Sequence, residues 1–314
     1  MNCARLLTLV LVATVTLPPR QVRAQAGLDA NAVKFWISFV DKNNGTGKGP
    51  LAIEPDFVSE RARARRIRRG GRVRSKLDVP VSPHYLNRLR SLGIELVTVS
   101  RWLNAVSAYL TPEQSAIVSR LGFVRSVTTV ARRIDPEPPT PPGGPAPDRF
   151  YGQKSGKGSL QNSELASTLL DYGASLAQLQ SINAVDPIEN GFIGEGLLLG
   201  FLDTTTDTLH PALQHLVDSA QIVAMRDFAS EAGLGPQTNK HGLYTTSTAM
   251  GFDEGNLIGA CYGAEYIFAT TEYAPSERNQ EEDFFVAGME WMEQMGADIV
   301  NVSLAYSTFD AGQN

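Results

Sequence analysis

The chain is poor in the residues that build redox and metal centres. It has 2 cysteines in 314 residues, and one of them, Cys3, lies in the N-terminal stretch 1–26 that reads as a removable signal. Once that stretch is removed only Cys261 remains, so an internal disulfide and a cysteine-based metal cluster are both excluded. Histidine is as scarce, with His84, His210, His215 and His241. His210 and His215 flank Pro-Ala-Leu-Gln at a spacing that puts them on different sides of a helix, which argues against a two-histidine metal pair. No loop has the D-x-[DN]-x-[DN]-G pattern of a calcium site; Asp203, Thr205 and Asp207 imitate only its start. No cofactor and no metal are expected. Long apolar runs are missing too, and no segment approaches the roughly 20 residues of a transmembrane helix. No membrane anchor is expected.

Charge is present but unevenly spread. Residues 1–150 hold 23 Lys and Arg against 11 Asp and Glu, a net of +12; residues 151–314 hold 5 against 22, a net of −17. A basic part of this kind suits nucleic acid, a membrane surface, or the acidic part of its own chain. At the N-terminus Arg5 precedes the mostly apolar Leu6–Leu17, then Pro-Pro-Arg and a small-x-small site at Ala24-Gln25-Ala26. That is the layout of a secretory signal peptide over 1–26, and it implies an exported, extracellular protein.

Four segments follow from composition. After the signal, 27–131 reads strand, helix, helix, then a strand pair or one long bent strand, helix, strand. "AVKFWISFVDK" alternates like a strand, and a stretch with 8 arginines between Arg61 and Arg74 reads as a helix with Ser59 as N-cap and Gly70-Gly71 as its stop. Residues 132–150 include 7 prolines and 2 glycines, a composition that forms an extended linker rather than a core. Residues 151–314 alternate apolar strands (196–202, 222–228, 265–272, 297–304) with helical stretches, which predicts a parallel sheet. On the helix "EEDFFVAGMEWMEQMG", the stripe of Phe285, Met289 and Met292 is expected to be core.

Two stretches carry possible chemistry. In "GLLLGFLDTTTD" a buried strand ends on Asp203, at the edge where α/β sheets place their ligands. Taken alone, Asp203 is more readily an N-cap, since caps are commoner than catalytic groups. In "TNKHGLYTTSTAMG" His241 opens a helix of small residues, which lets that helix approach a neighbour closely. An imidazole there is either a structural group or, oriented by a carboxylate, a general base.

Read together, "FLDTTTD" followed 38 residues later by "HG" resembles the Asp…His half of the subtilisin-like serine proteases, the subtilase or peptidase S8 family. "GFIGEGLLLGFLDTTTDTLHPAL", "KHGLYTTSTAMG", "NLIGACYGAEYIFATTE" and "GMEWMEQMGADIVNVSLAY" are similar to successive family segments, and residues 31–131 resemble its N-terminal propeptide. The resemblance implies an incomplete subtilisin-like α/β parallel sheet with flanking helices, preceded by a small α+β, ferredoxin-like propeptide domain. It implies that Asp203 orients the imidazole, that His241 is the general base, and that Ser303, Leu304 and Ala305 form the strand that pairs with a polypeptide substrate. It also implies contact between propeptide and peptidase segment within one chain. The family has Gly at Thr205 and Thr at Leu243.

The family's nucleophile lies in a Gly-Thr-Ser motif, and that tripeptide does not occur in the chain. Ser247 is no substitute, because six residues along a helix from His241 rotate it about 240° away. The expectation is therefore the N-terminal part of a secreted serine endopeptidase, truncated before its serine and oxyanion asparagine and inactive at this length. The alternative is a non-catalytic protein whose basic domain inhibits related proteases. The arginine run is expected to be a solvated helix face rather than a nucleic-acid site, since no aromatics interleave with it.

Overall fold

The computed structural model describes residues 31–43, 52, 57–130, 168–275 and 279–304. The signal peptide expected over 1–26, the linker over 132–150 and the candidate substrate residue Ala305 lie outside these residues.

The first unit runs β1 (Val33–Phe39), α1 (Glu60–Arg68), α2 (Pro83–Ser91), β2 (Leu96–Ser100), β3 (Ala105–Leu110), α3 (Pro112–Val118) and β4 (Val124–Thr129). Its sheet has the order β2-β3-β1-β4 with every pair antiparallel, the split βαβ order of the ferredoxin-like domain that the resemblance implies. Helix starts follow local chemistry. Ser59 accepts a hydrogen bond from Ala62 N at the head of α1, and Thr111 and Gln114 form a capping box at α3. Strand alternation divides the sheet into two faces. Ile37, Phe39, Val106, Ala108 and Leu110 face α2 and α3, where they bury Tyr85, Leu89 and Val118. Lys34 and Ser107 take the other face, which lies against the second unit.

The second unit begins with two short helices, α4 (Leu176–Ser181) and α5 (Val185–Glu189). It continues β5 (Leu198–Asp203), α6 (Pro211–Asp218), β6 (Ile222–Asp227), α7 (Phe228–Glu231) and α8 (His241–Met250). A small hairpin, β7 (Phe252–Asp253) and β8 (Leu257–Ile258), precedes β9 (Glu265–Thr270), α9 (Glu281–Met295) and β10 (Ile299–Val302). The main sheet has the order β10-β5-β9-β6, and all of its pairs are parallel. All six residues of β5 are buried, as a strand covered on both faces must be. Leu198 and Leu202 turn toward α7 and α9, while Leu199 and Phe201 turn toward α6 and α8. Each such side chain contributes about 2–3 kcal/mol by leaving water. The alternation also fixes the direction of Asp203: it shares the face of Leu199 and Phe201, and so points toward α8.

The stripe expected on α9 is core with a shift of register. Phe284 and Met292 are buried, and Phe285 and Met289 pack against the same cluster in partial exposure. Gly296 closes α9 in the left-handed conformation at φ +92°, and a Cβ there would stand 2.6 Å from Ala62 N of α1. The arginine helix α1 therefore rests on the end of α9. The sequence reading of a solvated face is corrected here. Ala62 and Arg65 are buried against the second unit, because the acidic surface that complements the arginines belongs to the same chain.

Candidate active site

Asp203 ends β5 fully buried, and His241 begins α8 with its side chain 46% exposed. His241 Nδ1 lies 2.7 Å from Asp203 Oδ1. The same oxygen accepts from the Thr204 amide at 2.7 Å, and Asp203 Oδ2 accepts from the Thr245 hydroxyl at 2.9 Å. A carboxylate taken out of water is sustained only by such donors.

Local sequence explains the closeness. A Cβ on residue 242 would stand 2.5 Å from Thr205 O and 2.8 Å from Phe268 Cζ, so glycine after His241 lets the helix start against the strand end. Asn239 ties the approach. Its Oδ1 accepts from His241 N at 2.8 Å and lies 3.0 Å from the Thr204 hydroxyl, which itself accepts from Gly242 N at 3.2 Å. Thr205, where the resemblance calls for glycine, turns its hydroxyl to Asn239 O and so adds a strut to the same loop.

The remaining candidates sit elsewhere. Val302 pairs with Leu202, so Ser303 follows level with Asp203 at the carboxyl ends of the strands; it is exposed, and Asn301 Nδ2 donates to its hydroxyl at 2.8 Å. Leu304 follows in partial exposure, two residues past the end of β10. Ser247 is buried and gives its hydroxyl hydrogen to Tyr244 O at 3.1 Å. Cys261 is half-buried, and burial pushes its thiol up, away from a reactive thiolate. His210 caps α6, accepting from Ala212 N at 3.2 Å, and His215 lies beside Phe252. Among the described residues no group of three or more His, Cys, Asp or Glu side chains is placed to hold a metal ion. No helix among them is long and apolar enough to cross a membrane.

Sequence reasoning missed Thr204, Asn239 and Thr245. Thr245 had a signal: it lies four residues after His241, which puts both on one helix face. Asn239 and Thr204 had none, because they act through the meeting of two loops distant in sequence.

The first unit touches the second along α9. Lys34 of β1 forms an ion pair with Asp283, both fully buried, and donates to Asn279 O at 3.0 Å. Glu290 accepts from the Ser100 hydroxyl at 2.5 Å and from the Trp102 and Arg101 amides at 3.1 and 3.2 Å.

The fold and this site define an α/β protein in which a strand-end carboxylate holds an exposed imidazole, with an α+β domain seated on one of its helices. Residues 194–314 match the subtilase family, and residues 34–141 match the peptidase S8 propeptide domain of Bacteroidota. The chain therefore joins a peptidase S8 propeptide domain to a subtilase-family segment. No curated protein sequence matches it. Among solved structures it is similar to fervidolysin from Fervidobacterium pennivorans, a keratinolytic enzyme related to subtilisin. The identity is 16% and the TM-score 0.47, over 90% of this chain and 38% of that one. The chain thus spans 38% of the length of that structure.

Proposed function

We propose that residues 194–314 supply the aspartate–histidine pair of a secreted serine endopeptidase, and that the domain within 27–131 is its propeptide. One observation carries this reading: a fully buried carboxylate 2.7 Å from Nδ1 of an imidazole whose side chain is 46% exposed. Held this way, His241 keeps its proton on Nδ1 and leaves Nε2 free to take one from an attacking hydroxyl. Asp203 then stabilises the imidazolium that forms. In this reading Ser303 and Leu304, which follow β10, an outer strand of the sheet among the described residues, pair with an extended peptide.

In this reading the attacking hydroxyl belongs to a Gly-Thr-Ser motif, and that tripeptide is not among the 314 residues. In an Asp-His-Ser hydrolase, losing the serine alone costs on the order of a millionfold in turnover. The 314 residues by themselves are therefore expected to leave casein intact; inhibitor-sensitive cleavage by the purified chain would overturn this. The family reading itself is tested by the coding frame beyond codon 314. A loop bearing an asparagine followed by Gly-Thr-Ser supports the endopeptidase. A frame without them, together with no hydrolysis, removes it.

A second reading draws on the contacts along α9: the propeptide domain acts as a protease inhibitor. A buried ion pair and three hydrogen bonds to Glu290 hold it to the segment that carries the pair. Inhibition of a complete subtilase by this domain at micromolar concentration supports it; none at that level sinks it.

A further inference from the structure

We infer that the arginine helix α1 is a charge-reading clamp: it restricts the propeptide domain to peptidase domains with carboxylates at the end of α9, and it makes their separation salt-dependent. The inference rests on the reading of this domain as a propeptide.

The clamp is built residue by residue. Arg61 pairs with Glu265 of β9 at 2.5 Å and donates to Gly196 O at 3.3 Å. Arg65 pairs with Glu293 and donates to Ala297 O. Arg66 spans two carboxylates. It donates to Glu293 Oε1 through Nε and Nη2 at 3.0 and 2.8 Å, and forks onto Asp78 at 2.7 and 3.0 Å. Arg68 reaches Asp298 Oδ1 at 3.4 Å, and Arg69 donates to Asp298 O at 2.9 Å. Ser59 completes the seat, its amide and hydroxyl donating to Gln294 O and Met295 O at 3.0 Å each. Those carbonyls belong to the last turn of α9, where acceptors are unsatisfied and cations are favoured.

The set is selective for a physical reason. Arg65 is 7% exposed, so opposite a neutral or basic residue 293 it would hold a desolvated charge without its carboxylate. Planar guanidinium forks also fix the direction of approach, which a lysine in their place does not. The same pairs lie at the border of water, with Glu293 26% and Arg61 28% exposed, and mobile ions weaken contacts at such borders.

The test uses the whole chain with one protease-cleavage sequence placed within 134–150. After cutting, the affinity of the two pieces for each other is measured by fluorescence anisotropy. Raising NaCl from about 0.05 M to about 1 M should weaken the parent complex at least tenfold. Glu293→Gln should weaken it by about 10- to 100-fold at low salt and flatten the salt response. Arg88→Ala, which removes the same charge from α2 away from the contact, serves as control. In an exchange experiment, a labelled propeptide piece offered both the parent and the Glu265→Lys, Glu293→Lys partner should favour the parent by at least tenfold. A Glu293→Gln complex within about twofold of the parent at all salt concentrations would overturn the clamp, as would equal partition. If the double variant does not fold, Glu293→Gln and the salt titration decide. Hydrolysis enters none of these readings. Loss of the protease assignment would leave the clamp standing, and loss of the clamp would leave the Asp203–His241 pair as it is.

Discussion

At the N-terminal end of α9, Lys34 and Asp283 meet with no exposure to solvent. Near its C-terminal end Arg68 reaches Asp298 with 58% of its side chain in water. Both contacts join the same two domains, yet the physics differs. In the buried pair, desolvation opposes both charges: it pushes the Lys34 ammonium below its ordinary range and the Asp283 carboxyl above its own. Such a pair adds little net attraction but penalises heavily the loss of one member. The exposed arginines gain less each and lose it to salt. One end of α9 enforces correct seating; the other adjusts how strongly the seat is held.

That contrast can be broken most severely at Lys34. Lys34→Met leaves Asp283 charged and buried, and should cost about 3–5 kcal/mol in denaturant unfolding at neutral pH. Adding Asp283→Leu should return most of the loss, because two apolar groups no longer leave a charge stranded. If the double variant is as unstable as the single, the pair is not the unit assumed here.

Glu290→Ala comes next. It strips three donors of their acceptor and should cost about 2 kcal/mol, with little dependence on salt because the donors are uncharged and the contacts part-buried. A cost that vanishes at high ionic strength would move Glu290 to the other side of the comparison.

Acid should sharpen the contrast through Asp78. Burial pushes this carboxyl up, but the Arg66 fork and the Ser75 amide outweigh it and hold it below its ordinary 3.8. A depressed carboxylate stabilises the fold above the unfolded value and loses that contribution as pH falls through the folded one. Unfolding followed below about pH 4 should show a decline that Asp78→Asn removes.

Arg68→Ala should have the smallest effect, under about 1 kcal/mol, and none in about 1 M NaCl, by thermal unfolding at two ionic strengths. A larger or salt-resistant effect would mean that the outer contact is less screened than its exposure implies.

Much of the fold was legible because strands buried on both faces leave an unmistakable run of aliphatics. "LLLGFLD" located β5 and its end at Asp203, and His-Gly located the start of α8. What escaped was anything decided by the meeting of distant surfaces. The arginines of α1 read as a solvated face because a charge run does not name its partner. The partner, too, was in view: Asp283, Glu290 and Glu293 follow one another at helical spacing on one side of α9, but as acids on an amphipathic helix they look like ordinary solubilising residues. The hydroxyl of Thr245 was at the right spacing to reach Asp203, yet threonine on a small-residue helix signals close packing before it signals a hydrogen bond.

The bare α-carbon at position 296 has a consequence beyond its own turn. Two polypeptide segments more than two hundred residues apart share that point, and three residues later the chain enters β10, the neighbour of the strand that carries Asp203. A single added methyl there would be felt at once as a frayed helix, an unseated arginine row and a strand delivered out of line. Nothing at this junction can be adjusted in isolation, so the quality of the first domain's fit and the alignment of the second domain's sheet are set by the same atom-sized gap.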